Sequence, residues 1–191
     1  LIASHVYHHP SSRLWAVGVT GTNGKTTCSQ WIARALSENG MRTAVIGTLG
    51  YGMHGATLKP LVNTTPDAIW LHAQLDAFVR SKARAVSMEV SSIGLDQDRV
   101  AGVQFDVALF TNLTRDHLDY HGTMARYRRA KARLFGCESL QYAVLNLDDR
   151  FGAELAQRVG RRGLKVIGYG FGRAVRARCS VCGGVITIAP S

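Results

Sequence analysis

Apolar residues in this chain come in short runs, separated in turn by glycine-rich loops and by stretches with helical spacing. Residues 14–19 form an apolar run of strand type; residues 26–39 follow with Trp31, Ile32, Ala35 and Leu36 spaced for one helical face and Gly40 as the stop. The pattern then predicts a strand over 42–46 and a loop or hairpin punctuated by Gly47, Gly50, Gly52 and Gly55. A helix with Pro66 as its first residue, capped by Thr65, runs to about Ser81. Short apolar strands follow at 85–88, ending on Glu89, and at 107–110, ending at Thr111 and Asn112. Beyond them lie a helix over 124–135, a strand over 142–145, a helix over 151–159 and a strand over 165–169. This alternation predicts an α/β fold, a mainly parallel sheet with helices on both faces. Past Gly172 only short β-like pieces remain, over 176–181 and 185–188.

Composition sets the limits. The 191 residues, 46% hydrophobic and 19% charged, suit one domain with an appended piece. No apolar run approaches the roughly 18 residues of a membrane helix, so no membrane is expected as partner. Residues 1–13 read as a linker, 14–172 as the main domain and 173–191 as its β-rich end. The chain opens on Leu1 without the charged-then-apolar order of a signal peptide, which reads as a piece of a longer protein. In the linker, His8 and His9 are either metal ligands or simply solvated.

Lys and Arg outnumber Asp and Glu by 23 to 13, giving +10. The surplus concentrates at Arg126, Arg128, Arg129, Lys131 and Arg133, then at Arg158, Arg161, Arg162 and Lys165, then at Arg173, Arg176 and Arg178. It suits a solvated basic face and anionic small molecules. Without zinc-finger spacing or interleaved aromatics, nucleic acid is not an expected partner. Cys28, Cys137, Cys179 and Cys182 make no disulfide framework in a chain this long, which fits a reducing cytoplasm. Cys179 and Cys182 read as a turn between strands, or as half of a zinc knuckle lacking its second pair.

The chemistry concentrates after the first strand, in Gly21-Thr22-Asn23-Gly24-Lys25-Thr26-Thr27. Strand, glycine-rich loop and helix form a phosphate loop: backbone N–H groups and the helix N-terminus face a polyphosphate, Lys25 adds a cation, and Thr26 offers a hydroxyl to Mg²⁺. The loop is tighter than the general motif, with Val19 where that motif has its first glycine. Glu89, ending an apolar strand, is a Mg²⁺ ligand or a cap for the next helix. His117, within Asp116-His117-Leu118-Asp119-Tyr120-His121, is a metal or phosphate ligand or a structural histidine. Lys131 sits among arginines that favour its neutral amine. It is a solvated surface lysine, or a nucleophile able to take up carbon dioxide as a carbamate that could bridge Mg²⁺.

These segments, with Asn63-Thr64-Thr65, Met88-Glu89-Val90-Ser91-Ser92, Thr111 to Gly122, and Tyr127 with Ala130-Lys131, resemble the Mur ligase family over residues 14–150. That family comprises ATP-dependent amide ligases of peptidoglycan precursor synthesis, and the likeness is greatest to the branch that adds the third residue to UDP-MurNAc-L-Ala-D-Glu. The resemblance implies that the loop residues Gly21 to Thr27 and Asn112 hold ATP, with Lys25 on its phosphates. It further implies that Thr26 and Glu89 hold one Mg²⁺, and that His117 joins Glu89 and a carbamylated Lys131 at a second. Asn63, Thr64, Thr65, Ser91, Gln97 and Arg99 are implied to touch the UDP-MurNAc-dipeptide. Lys25, Lys131 and His117 are implied in catalysis. The incoming amino acid, diaminopimelate or lysine, would enter through a C-terminal domain outside this chain, and residues 1–13 would lead from an N-terminal one. The chain alone is then expected not to ligate; the other reading is a non-catalytic nucleotide-binding module. Ile93 departs from the family, whose members commonly carry histidine there.

Overall fold

The apolar runs assemble into one seven-stranded sheet in a computed structural model that describes residues 1–171 and, as backbone only, strands Val175–Arg178 and Val185–Ile188. The strands are β1 (Trp15–Thr20), β2 (Thr43–Gly47), β3 (Gly50–Met53), β4 (Ala85–Glu89), β5 (Val107–Phe110), β6 (Tyr142–Asn146) and β7 (Lys165–Tyr169). Their spatial order is β3-β2-β4-β1-β5-β6-β7, all parallel except the β2–β3 hairpin. Every residue of β2 and β4, and all of β1 but Trp15, is buried. Alternate side chains point to opposite faces, so both faces of the central strands are covered, which is why these strands read as continuous apolar runs.

The helices are α1 (Ile2–Val6), α2 (Lys25–Glu38), α3 (Ala68–Arg80), α4 (Ser92–Asp96), α5 (Leu118–His121), α6 (Met124–Ala132) and α7 (Arg150–Gly160). After β1 the chain moves outward to β2, and later strands fill the other side from β5 to β7, so the order reverses at β1. Loops at such a switch point flank a crevice at the carboxyl ends of the strands, where ligands collect.

Several expectations change. Trp31 is 70% exposed: α2 buries the small residues Ser29 and Ala33 instead, because close approach to the sheet leaves little room for a larger side chain. Asp67, not Thr65, caps α3, accepting from Trp70 N at 3.0 Å, because the Thr65 hydroxyl is committed elsewhere. The helix over 124–135 ends at Ala132 and tightens into a 3₁₀ turn, Arg133–Gly136. In the expected linker, α1 and a 3₁₀ turn (Pro10–Arg13) pack on the domain: Ser4 Oγ donates to Gly102 O at 3.1 Å and Ser11 Oγ accepts from Gln104 N at 2.9 Å. His8 and His9 are exposed. The last two strands, β8 (Val175–Arg178) and β9 (Val185–Ile188), pair antiparallel; Cys179 and Cys182 lie outside the described residues.

Candidate active site

The loop leaving β1 is shaped by its glycines and clamped by the end of β5. Gly21 has φ +148°, and a Cβ there would overlap Thr111 Oγ1; Gly24, at φ +82°, starts α2. Thr22 N donates to Asn112 O at 2.8 Å, Asn23 N to Asn112 Oδ1 at 3.0 Å, and Thr111 Oγ1 to Asn23 O at 2.6 Å. Asn112, expected on the nucleotide, therefore braces the loop. The Thr22 hydroxyl accepts from Thr114 N at 3.0 Å and lies 3.1 Å from the Tyr127 hydroxyl, tying the loop to α6. Lys25 Nζ folds back to donate to Gly21 O at 3.0 Å and Thr22 O at 2.8 Å. Burial lowers its pKa, against the raising effect of Glu89 and Asp116.

Glu89 is 1% exposed, so a carboxylate at the strand end is held inside the protein. Its oxygens accept from Thr26 Oγ1 at 2.9 Å, Thr48 N at 2.7 Å and Thr48 Oγ1 at 3.2 Å. It does not cap α4; Ser91 does, accepting from Gly94 N at 3.0 Å. A buried carboxylate beside a hydroxyl, both oxygen donors, fits Mg²⁺, which takes one or two protein oxygens and keeps several waters. Among the described residues no group of three or more His, Cys, Asp and Glu gathers as a metal site. Thr48 went unnoticed in the sequence, because its role depends on β2 ending beside β4. Gly47 before it leaves room for the carboxylate, since a Cβ there would strike Glu89. Gly47→Ala is therefore expected to cost about 1–3 kcal/mol by overpacking, read as a lower melting temperature.

Lys131 is also 1% exposed, on a helix whose other basic residues are mostly exposed. Its Nζ donates to Gly21 O at 2.7 Å and sits 4.4 Å from the centre of the Tyr127 ring. Burial, and next the charge of Lys25, push its pKa down to about 7. The expected direction holds, but desolvation rather than the neighbouring arginines is the cause. An unfolded lysine releases its proton near about 10.4, whereas folded Lys131 does so near about 7. Between these values the unfolded chain binds more protons, so this residue's contribution to stability rises with pH across that window and is least favourable below it. Denaturation of wild type and Lys131→Met at about pH 6 and about pH 9 should show the wild type gaining on the variant at the higher pH. A constant difference would contradict the buried, desolvated amine.

His117 stands at φ +50° before α5, 45% exposed, its Nε2 3.4 Å from Asp116 Oδ2. It and Lys131 line one cleft of about 470 Å³ with Thr22, Asn23, Gly24, Lys25, Thr26 and Glu89. Asn63, Thr64, Thr65, Ser91 and Arg99 line the same cleft, with Thr48, Ser92 and Ile93. Gln97 does not; its Oε1 accepts from Arg99 Nε at 2.9 Å. Thr27 lies exposed in the first turn of α2, and neither it nor Gly21 lines the cleft, though the Gly21 carbonyl accepts from both lysines. Thr65 binds the parts together: its hydroxyl donates to Glu89 O at 3.1 Å and accepts from Ser91 N at 2.9 Å, while its carbonyl accepts from Arg99 at 2.9 Å.

A phosphate loop at the switch point of a mainly parallel sheet, facing a buried carboxylate, defines a nucleotide-binding α/β domain. The chain belongs to the Mur ligase family, whose middle-domain model matches residues 19–181. It is 57% identical over 170 residues to the UDP-N-acetylmuramoyl-L-alanyl-D-glutamate–2,6-diaminopimelate ligase of Nitrosomonas europaea, covering 89% of this chain and 32% of that protein. To the ligase of that name from Ralstonia nicotianae it is 59% identical over 157 residues, 82% of this chain and 30% of the other. A solved structure of a ligase of that name matches with TM-score 0.80 and 36% identity, covering 90% of this chain and 36% of that one. Mycobacterium tuberculosis folylpolyglutamate synthase complexed with ADP shares the fold, with TM-score 0.71 at 17% identity over 97% of this chain and 49% of the other. The chain spans about a third of the length of the curated relatives it matches. Among the described residues, no helix is long and apolar enough to cross a membrane.

Proposed function

We propose that these residues are the ATP-binding part of a cytoplasmic ligase that joins diaminopimelate to UDP-MurNAc-L-Ala-D-Glu. The observation that carries this reading is the single cleft in which the phosphate loop, buried Glu89 and buried Lys131 face the threonines and Arg99 expected on the dipeptide side. The D-Glu carboxylate of the dipeptide attacks the γ-phosphorus of ATP, releasing ADP and leaving an acyl phosphate. The amine of diaminopimelate, carried by a part of the protein outside this chain, then attacks the acyl carbon and expels phosphate.

Two anions must meet in the first step, so the residues' task is to offset charge. Lys25 leaves the loop carbonyls for the phosphates, a move its exchangeable hydrogen bonds permit. Arg99, anchored on Thr65, meets the dipeptide's anionic end with Asn63, Thr64 and Ser91. Thr26 and Glu89 would hold Mg²⁺, which as a Lewis acid neutralises phosphate charge. The Lys131 amine, whose pKa burial lowers to about 7, takes up carbon dioxide in its neutral form, forming an N–C bond and losing a proton. As a carbamate it would join His117 and Glu89 at a second Mg²⁺.

The test is ligation by the full-length protein supplied with Mg-ATP, UDP-MurNAc-L-Ala-D-Glu and diaminopimelate. Equal yields of ADP, phosphate and tripeptide product are expected. Nucleotide binding with no amide formed under any amino acid would leave a binding module instead.

A further inference from the structure

The arginines of α6 are not partnered alike. Arg126, Arg129 and Arg133, at i, i+3 and i+7, line a second cavity of about 340 Å³ with Asp96, Tyr120 and His121. This cavity adjoins the main cleft. Ser92, at the start of α4, lines the cleft, whereas Asp96, at the end of the same helix, lines the cavity. The 3.0 Å hydrogen bond between Ser92 Oγ and His121 Nε2 stands between the two.

Three arginines and one carboxylate, Asp96, line this cavity, and that carboxylate is already engaged by the Tyr120 hydroxyl at 3.1 Å. Arg133 is paired with Asp98 and donates to Asp96 O at 3.3 Å. Among the described residues, the side chains of Arg126 and Arg129 have neither an ion pair nor a hydrogen bond. Arg128, between them in sequence but on another face, pairs with Glu154 at 3.0 Å and lies 5.1 Å from the Phe151 ring centre. Like charges at this helical spacing repel one another. A bound dianion would reverse the sign of that interaction, and planar guanidinium forks match the oxygens of a phosphate. The volume holds about ten waters at roughly 30 Å³ each, room for a phosphate with part of its hydration shell.

We propose that this cavity is a second anion site, distinct from the phosphate loop, in which Arg126 and Arg129 together bind a phosphate-class dianion. The site does not depend on the ligase reading, since no residue of the loop or of the dipeptide side lines it.

Calorimetric titration of the full-length protein with inorganic phosphate tests it, in a Lys25→Ala background that weakens binding at the loop. One saturable equivalent is expected. The further pair Arg126→Gln with Arg129→Gln should weaken it at least about tenfold, while Arg128→Gln leaves it within about twofold. Absence of saturable binding in the Lys25→Ala protein, or equal binding in the Arg128→Gln and the paired variants, would overturn the proposal. Should the paired variant melt early, the arginine Nε–H resonances of the Lys25→Ala protein give the answer. Shifts at Arg126 and Arg129 on adding phosphate support the site, and their constancy sinks it.

Discussion

Lys131→Ala is expected to lower the ligation rate of the full-length protein by about 10²–10³-fold while leaving Mg-ATP binding within a few-fold, the signature of a lost electrostatic contribution to the transition state. The expectation rests on where the amine lies. A lysine 1% exposed, over the Tyr127 ring and with a backbone carbonyl as its hydrogen-bond acceptor, carries a desolvation cost as an ammonium. A pKa of about 7 leaves about half of it neutral at neutral pH, against well under about 1% for a free lysine. That fraction is what carbon dioxide requires. Addition of a short-chain carboxylic acid should restore part of the lost rate, because it supplies the carboxylate without the lysine. Carbon-13 carbon dioxide should also give a carbamate resonance that is absent from Lys131→Ala. Full activity of the variant would remove the lysine from the mechanism, and loss without rescue or resonance would leave it a role only as a cation.

The second large effect is expected from Lys25→Ala. Hydrogen bonds to charged groups contribute about 1.5–3 kcal/mol, so Mg-ATP affinity should fall by roughly 10–100-fold, with a further loss in rate. The melting temperature should hold. Burial already disfavours the Lys25 charge, and the loop keeps its clamp from Thr111 and Asn112, so the side chain is not what maintains the loop. Calorimetry with Mg-ATP reads the first effect and thermal denaturation the second. Unchanged affinity would mean that the lysine remains on Gly21 and Thr22 when nucleotide arrives.

Most of the cleft was legible in the chain because its chemistry is local. The loop from Gly21 to Thr27 needs a strand before it and a helix after it, and both are written in adjacent apolar periodicity. Glu89 could be placed at a strand end by the same reading, and Asn63, Thr64, Ser91 and Arg99 through their resemblance to a known motif series. Asn112 and Gln97 were placed in the right neighbourhood, yet they brace the loop and Arg99 rather than line the cleft. Trp31 misled because helical spacing reveals a face without saying how closely that face approaches the sheet.

By itself, then, the sequence determined the α/β alternation, the phosphate loop and the identity of the charged groups, since each depends on neighbours within a few residues. Only the tertiary structure decided which of those charges lose water. Glu89 meets Thr48 because β2 ends beside β4, and Thr65 leaves its cap because Glu89 and Ser91 occupy it. Lys131 and Arg129 lie two residues apart on one helix, the first buried and the second exposed. Desolvation is set by packing between segments distant in the chain, and no local pattern of residues encodes it.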